Sequence, residues 1–190
     1  MISLGVLAAD FADALASVDA DRQAHKQFSP GIGPYGEVEA VRAALAKLKN
    51  TKPVLYTDAV VKRVPDLLMP GEWAVEFKVA RPFGDNGRPA EHWSENLLHP
   101  YAGNTSSLGD CLKLLSSGLA ERKAAIIFGF EHVPPQLSLD AAVLGFEVLA
   151  REVMNLCLTP RIEETRSGLI HPVHRQLRVF AYEVLGSRTS

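Results

Sequence analysis

A chain of 190 residues that is 47% apolar and 22% charged has the composition of one soluble globular domain with a sizeable core, which sets aside disordered, fibrous and disulfide-scaffold classes. Its formal net charge of −2 argues against avid, non-specific nucleic-acid binding, although catalytic acids lower that sum and leave room for a local basic groove. The two cysteines, Cys111 and Cys157, lie far apart and read as thiols in a reducing, cytoplasmic compartment; no apolar run has the length of a membrane span, and residues 1–10 lack the basic start of a signal peptide.

Residues 4–28 read as a helix, with Val6, Leu7, Phe11, Leu15 and Val18 at helical spacing, ending before Ser29-Pro30-Gly31. Residues 31–36 form a G-x-G-x-x-G string. A dinucleotide site needs a strand before that string, whereas a helical pattern precedes this one, so it is expected to be a lead-in to the next helix. That helix, 36–48, carries Val38, Val41, Ala44, Leu45 and Leu48 on one stripe. Glu37 leans toward the stripe at i+4, i+7, i+8 and i+11, while Glu39 falls nearer the solvent side. The plainer role for Glu37 is an acid stabilised at a helix N-terminus.

Residues 53–62 (PVLYTDAVVK) are β-prone and expected to be the first core strand. Residues 64–69 and 73–81 then make a hairpin around Pro70-Gly71, a strong reverse-turn pair. Residues 82–107 are punctuated by Pro82, Gly84, Asp85-Asn86-Gly87, Pro89, Pro100 and Gly103 and read as a long irregular segment, in which His92 and His99 are surface histidines. Ser107 is expected to cap a helix with Leu108, Cys111, Leu112, Leu115 and Leu119 on its apolar stripe and Asp110 in its first turn. Residues 123–131 (KAAIIFGFE) read as a central buried strand. Ser138 or Asp140 caps a helix running to about residue 156 with Val143, Leu144, Leu149 and Val153 inward, and 177–185 is a last β-prone run. His171-Pro172-Val173-His174 has metal-like spacing, weakened by the proline and by the lack of a nearby third ligand.

The chemistry concentrates in the hairpin. Asp66 precedes the turn, and Glu76 and Lys78 alternate on a β-prone strand, so both project from one face while Val75, Phe77 and Val79 point the other way. Two carboxylates and an ammonium gathered across a hairpin can hold a divalent metal and bind a phosphate. The plainer alternative is a surface hairpin with an ordinary Glu–Lys pair on its wet face. Asp58 lacks the Pro-Asp context and is not preferred over Asp66.

The order Pro65-Asp66, spacer, Glu76-x-Lys78 resembles the PD-(D/E)XK nuclease superfamily. The resemblance spans about 36–131 and is specific only at that motif. It implies an α/β chain with a restriction-endonuclease-like αβββαβ core, its mixed central sheet flanked by helices. The N-terminal helix 4–28 and the segment 138–185 would be additions within one domain of 1–190. It also implies a Mg²⁺- or Mn²⁺-dependent endonuclease acting on DNA, with Asp66 and Glu76 as metal ligands and Lys78 orienting the nucleophile. Glu37, or Glu39 in its place, would complete the metal site, and by analogy the protein would be a homodimer. Arg81, Arg88, Lys113, Trp93 and Tyr101 are the candidates for contact with nucleic acid. Two rivals stand beside this expectation: a catalytically silent nuclease-fold binding or assembly subunit, and a small-molecule binder or enzyme using 82–107 as a lid.

Overall fold

The computed structural model describes residues 1–101 and 105–187, apart from the side chain of Ser187; Gly103, one of the expected breakers in 82–107, lies outside the described residues. The chain runs α1 (Leu4–Ala20), α2 (Glu37–Thr51), α3 (Pro53–Tyr56), β1 (Val60–Val61), β2 (Leu67–Met69), β3 (Trp73–Ala80), α4 (Glu95–Leu98), α5 (Ser107–Ser116), β4 (Arg122–Glu131), α6 (Asp140–Glu152), β5 (Leu156–Leu158), β6 (Ile162–Ser167) and β7 (Gln176–Ser187). The seven strands form one mixed sheet of order β1-β2-β3-β4-β7-β5, with β6 also paired to β7. β1, β2 and β3 are successively antiparallel, β3 and β4 are parallel, and β4 and β7 are antiparallel. No helix among the described residues is long and apolar enough to cross a membrane.

Alternation along β3 divides the core. Trp73, Val75 and Phe77 point into an apolar layer shared with α1 and α2, whereas Ala80 packs into the layer built by α5 and α6 and Ala74 against Leu114 of α5. Glu76 and Lys78 therefore face the α5 side. The hairpin forms as the sequence predicts. Pro70 and Gly71 sit at its tip, Gly71 takes φ 73°, and the Glu72 N–H closes the turn on the Met69 carbonyl at 2.9 Å.

Other expectations need correction. The first helix stops at Ala20 rather than residue 28, because Asp19 turns inward. Its buried carboxylate accepts the N–H groups of Ile32 (2.9 Å) and Ile170 (2.8 Å), tying two loops together. Residues 53–62 are not a core strand: Pro53 starts the short helix α3, Tyr56 is buried with its hydroxyl donating to Asp10 at 2.9 Å, and only Val60–Val61 is extended. The helix expected to reach residue 156 ends at Glu152, and Asn155 adopts φ 52° before β5 begins. Its buried face is Ala142, Val143, Phe146 and Ala150, while Leu144 and Val153 are exposed. Ser106, not Ser107, caps α5, accepting from the Gly109 N–H at 3.2 Å. The C-terminal segment is no appendage either, since β7 pairs with β4, β5 and β6.

The G-x-G-x-x-G string follows a loop rather than a strand, and a side-chain carbon on Gly33 would lie 2.4 Å from His174. The glycine is there for close packing. His171 and His174 are buried and stacked with ring centroids 4.7 Å apart. His174 pairs with Asp85 at 2.9 Å, and burial pulls its pKa down to about 4. The pair packs as neutral rings.

Asp19→Ala should remove the shared acceptor and leave two backbone donors unpaired, at a cost of about 3 kcal/mol. Urea unfolding measures this, with a lower midpoint at unchanged slope expected. A loss below about 1 kcal/mol would mean that the Ile32 and Ile170 N–H groups find other acceptors.

Candidate metal and phosphate site

The site begins as an unfinished sheet. β2 pairs with β3 only from Trp73 to Val75, while β3 continues to Ala80, held on its far side by β4. Past Val75, the near edge of β3 has N–H groups with no strand opposite among the described residues. Buried backbone donors must be paired, and two carboxylates pair them. Asp66 accepts the Phe77 N–H at 2.8 Å, and Glu37, from the first turn of α2, accepts the Val79 N–H at 2.9 Å. The fork between β2 and β3 thereby fixes two acids from distant stretches of sequence against one strand.

The side chains of β3 add the rest. Lys78 extends its ammonium to Asp110 of α5 at 2.8 Å and to Glu37 at 3.5 Å. The other oxygen of Asp110 holds Lys113 at 2.7 Å. Glu76 is 6% exposed, its carboxyl hydrogen-bonds to Asp66, and its Oε1 has no hydrogen-bond partner. Ser107, also buried, lines a narrow void with Glu76, Lys78 and Asp110, and its hydroxyl too has no partner.

Burial sets the electrostatics. It pushes the Glu76 carboxyl up to about 9, reinforced by the neighbouring Asp66 charge. It also raises Asp66, against the opposing Phe77 N–H, and Glu37, against the opposing Lys78 charge. For Lys78, burial alone would lower the pKa, but Glu37 and Asp110 outweigh it, and the ammonium is held above its ordinary value. At neutral pH without a cation, Glu76 therefore carries the proton of the Asp66–Glu76 pair and Lys78 is charged.

Of the residues predicted from sequence, Glu37, Asp66, Glu76 and Lys78 come together here. Glu39 does not: it caps its own helix, accepting from the Gly36 N–H at 3.0 Å, and pairs with Lys26 at 3.1 Å. Lys113 reaches the cluster through Asp110. Arg81 lies just beyond β3 and donates to the Gly33 carbonyl at 2.9 Å. Arg88 is exposed on the turn that follows, Trp93 is half-buried against the α6 side of the core, and Tyr101 is exposed. Asp110 and Ser107 escaped sequence reasoning as members of the site. Their signal was the spacing of Ser107, Asp110 and Lys113 at i, i+3 and i+6, one face of a helix.

The donors offered to a cation are all carboxylate oxygens, which suits a hard ion such as Mg²⁺ or Mn²⁺. A cation between these two acids would satisfy the partnerless Oε1 of Glu76 and displace the proton shared with Asp66. Among the described residues no three His, Cys, Asp or Glu side chains form a ready-made cage. The fit is to a cation held by one or two carboxylates that keeps several waters, as Mg²⁺ commonly is. Comparison with family models, curated proteins and solved structures returns no match to this chain.

The raised pKa of Glu76 carries a stability sign. The folded chain holds this proton up to about pH 9 whereas an unfolded glutamate releases it near 4.5, so the contribution is intact at low pH and is lost as pH rises through that window. In chelator, Glu76→Gln should gain stability relative to wild type between about pH 5 and pH 9, measured by thermal unfolding. A pH-independent difference would contradict the assignment of the proton to Glu76.

Proposed function

We propose that this chain is a divalent-metal-dependent nuclease that hydrolyses phosphodiester bonds in DNA, built on a restriction-endonuclease-like core. The observation that carries it is the convergence of Glu37, Asp66, Glu76 and Lys78 at the free edge of β3, from three separate elements or their flanks. With the four-residue helices α3 and α4 set aside, the succession α2, β1, β2, β3, α5, β4, with the first three strands antiparallel and the fourth parallel to β3, is compatible with an αβββαβ core.

In this reading Asp66 and Glu76 hold the cation, with Glu37 beside them. A bound Mg²⁺ would polarise the scissile phosphate and acidify a coordinated water. Asp66 and Glu76 would release their shared proton to solvent when a cation binds. Lys78, kept charged by Glu37 and Asp110, neutralises the negative charge that develops on the phosphate and orients the attacking water. Asp110 holds the two ammoniums of Lys78 and Lys113 apart and in place. The backbone bonds from Phe77 and Val79 fix one oxygen of Asp66 and one of Glu37 along β3, and the other Glu37 oxygen faces Lys78. A homodimer would let two such sites address two strands.

A second reading is a nuclease-fold binding subunit without turnover. The observation favouring it is the formal net charge of −2, which falls short of the basic footprint of avid nucleic-acid binding.

Purified protein should cut supercoiled, linear or single-stranded DNA in Mg²⁺ or Mn²⁺. Asp66→Ala and Lys78→Ala should each reduce the rate by about 100-fold or more while remaining folded. Metal-protected, folded protein that cuts none of these substrates would favour the binding subunit, and equal cleavage by wild type and Asp66→Ala would remove this site from the reaction. Asp110→Asn should lower kcat and shift the pH profile of cleavage, because Lys78 loses the partner at 2.8 Å that helps keep it charged. An unchanged profile would confine Asp110 to a structural role.

A further inference from the structure

Immediately beyond the cluster, β3 runs into a cleft of about 330 Å³ lined by Val79, Arg81, Phe83, Trp93 and Asn96 among others. Its volume lies at the lower end of the range of small-molecule sites, roughly 300–1,000 Å³. The cleft adjoins the acids, since Val79, whose N–H is held by Glu37, forms one wall. Arg81 follows Lys78 by three residues, about 10 Å along an extended chain.

We propose that this cleft is a binding subsite for one nucleobase turned out of its stack, so that the nucleic acid addressed by the neighbouring site is a strand with an unpaired or extruded base. The ligand class rests on the nuclease reading. Three features of the cleft fit a base. Trp93 packs its indole against the second core and also lines the cleft, providing an anchored aromatic surface for stacking. Asn96, on α4, is exposed at the rim and offers an amide that both donates and accepts, as recognition of a base edge requires. Arg81, half-buried, presents a guanidinium for the adjoining phosphate or the base face, with one N–H anchored on Gly33.

The walls are built rather than loose. Phe83 bridges to Pro89, the Gly84 N–H donates to the Arg88 carbonyl at 2.8 Å, and the Ala90 N–H donates to the Pro82 carbonyl at 2.9 Å. The ring of Phe83 stands edge-on to His132 with centroids 4.7 Å apart. Asp85 is fixed on His174 at 2.9 Å. A base still stacked and paired within a duplex could not enter such a concavity, whereas a single-stranded or extruded one could.

Intrinsic fluorescence tests this directly, because the chain has two tryptophans and Trp73 is fully buried in the core. With the whole protein in chelator, so that nothing is cut, a short single-stranded oligodeoxynucleotide should quench the emission saturably. A blunt duplex of the same sequence should quench about 10-fold more weakly. Trp93→Phe should abolish the quench, and Asn96→Ala, at the exposed rim, should weaken the affinity by about 5-fold. In Mg²⁺ the same two variants should raise KM with kcat little changed. Equal quenching by duplex and single strand, or a quench that survives Trp93→Phe, would overturn the subsite. Metal-dependent cleavage with no quench would overturn it while leaving the nuclease reading intact. Saturable quenching by single strand with no cleavage of any DNA would do the reverse.

Discussion

The free edge of β3 is the constraint on which the rest of the site depends. A strand that outruns its neighbour leaves N–H groups that must be paired, and here the acceptors are carboxylates rather than another strand. Asp66 takes the Phe77 donor and Glu37 takes the Val79 donor. That arrangement also closes an edge that would otherwise template pairing with another chain. Because both acids are committed to backbone geometry, they sit at fixed positions along β3, and the alternation of the strand then sets Glu76 and Lys78 beside them.

Such a cluster is a poor way to stabilise a fold. Acids buried side by side raise one another's pKa, and a lysine drawn into the same space must be paired to stay charged. The structure meets these costs with Asp110, which bridges Lys78 and Lys113, and with a proton retained on Glu76. Groups whose pKa values are displaced by burial together with specific neighbours cluster at functional sites. The stacked, neutral His171–His174 pair is the structural counterpart: its displaced pKa comes with tight packing against Gly33 rather than with convergent acids.

Much of this organisation was legible in the sequence, for reasons that can be named. The hairpin at Pro70-Gly71 is local chemistry, and the alternation of Glu76 and Lys78 against Val75, Phe77 and Val79 is a period of two that survives folding. β4 was legible because its short, near-continuous apolar run, rich in Ile and Phe, suits a strand buried on both faces. Glu37 could be distinguished from Glu39 only weakly, by its lean toward the apolar stripe; the deciding fact is a hydrogen bond, the Gly36 N–H donating to Glu39. The failures share a cause. Residues 53–62 look β-prone, yet Pro53 and the burial of Tyr56 against Asp10 turn the first half into helix. β6 (IEETRS) is polar and drew no expectation from its sequence, and its strand is completed by pairing along β7. Asp110 looked like a helix-dipole acid, and only the tertiary approach of α5 to β3 reveals its two lysines. Local pattern found what local forces determine, and long-range pairing determined the rest.

The role proposed for Asp66 and Glu76 is a divalent-cation site that exchanges a proton for a metal. Titration calorimetry of the full chain with Mn²⁺ at pH 7.5, repeated in buffers of different ionisation enthalpy, measures both events at once. Saturable binding with release of about one proton per cation is expected, and loss of that release in Glu76→Gln. Binding without proton release, or no binding by a folded chain, would contradict it.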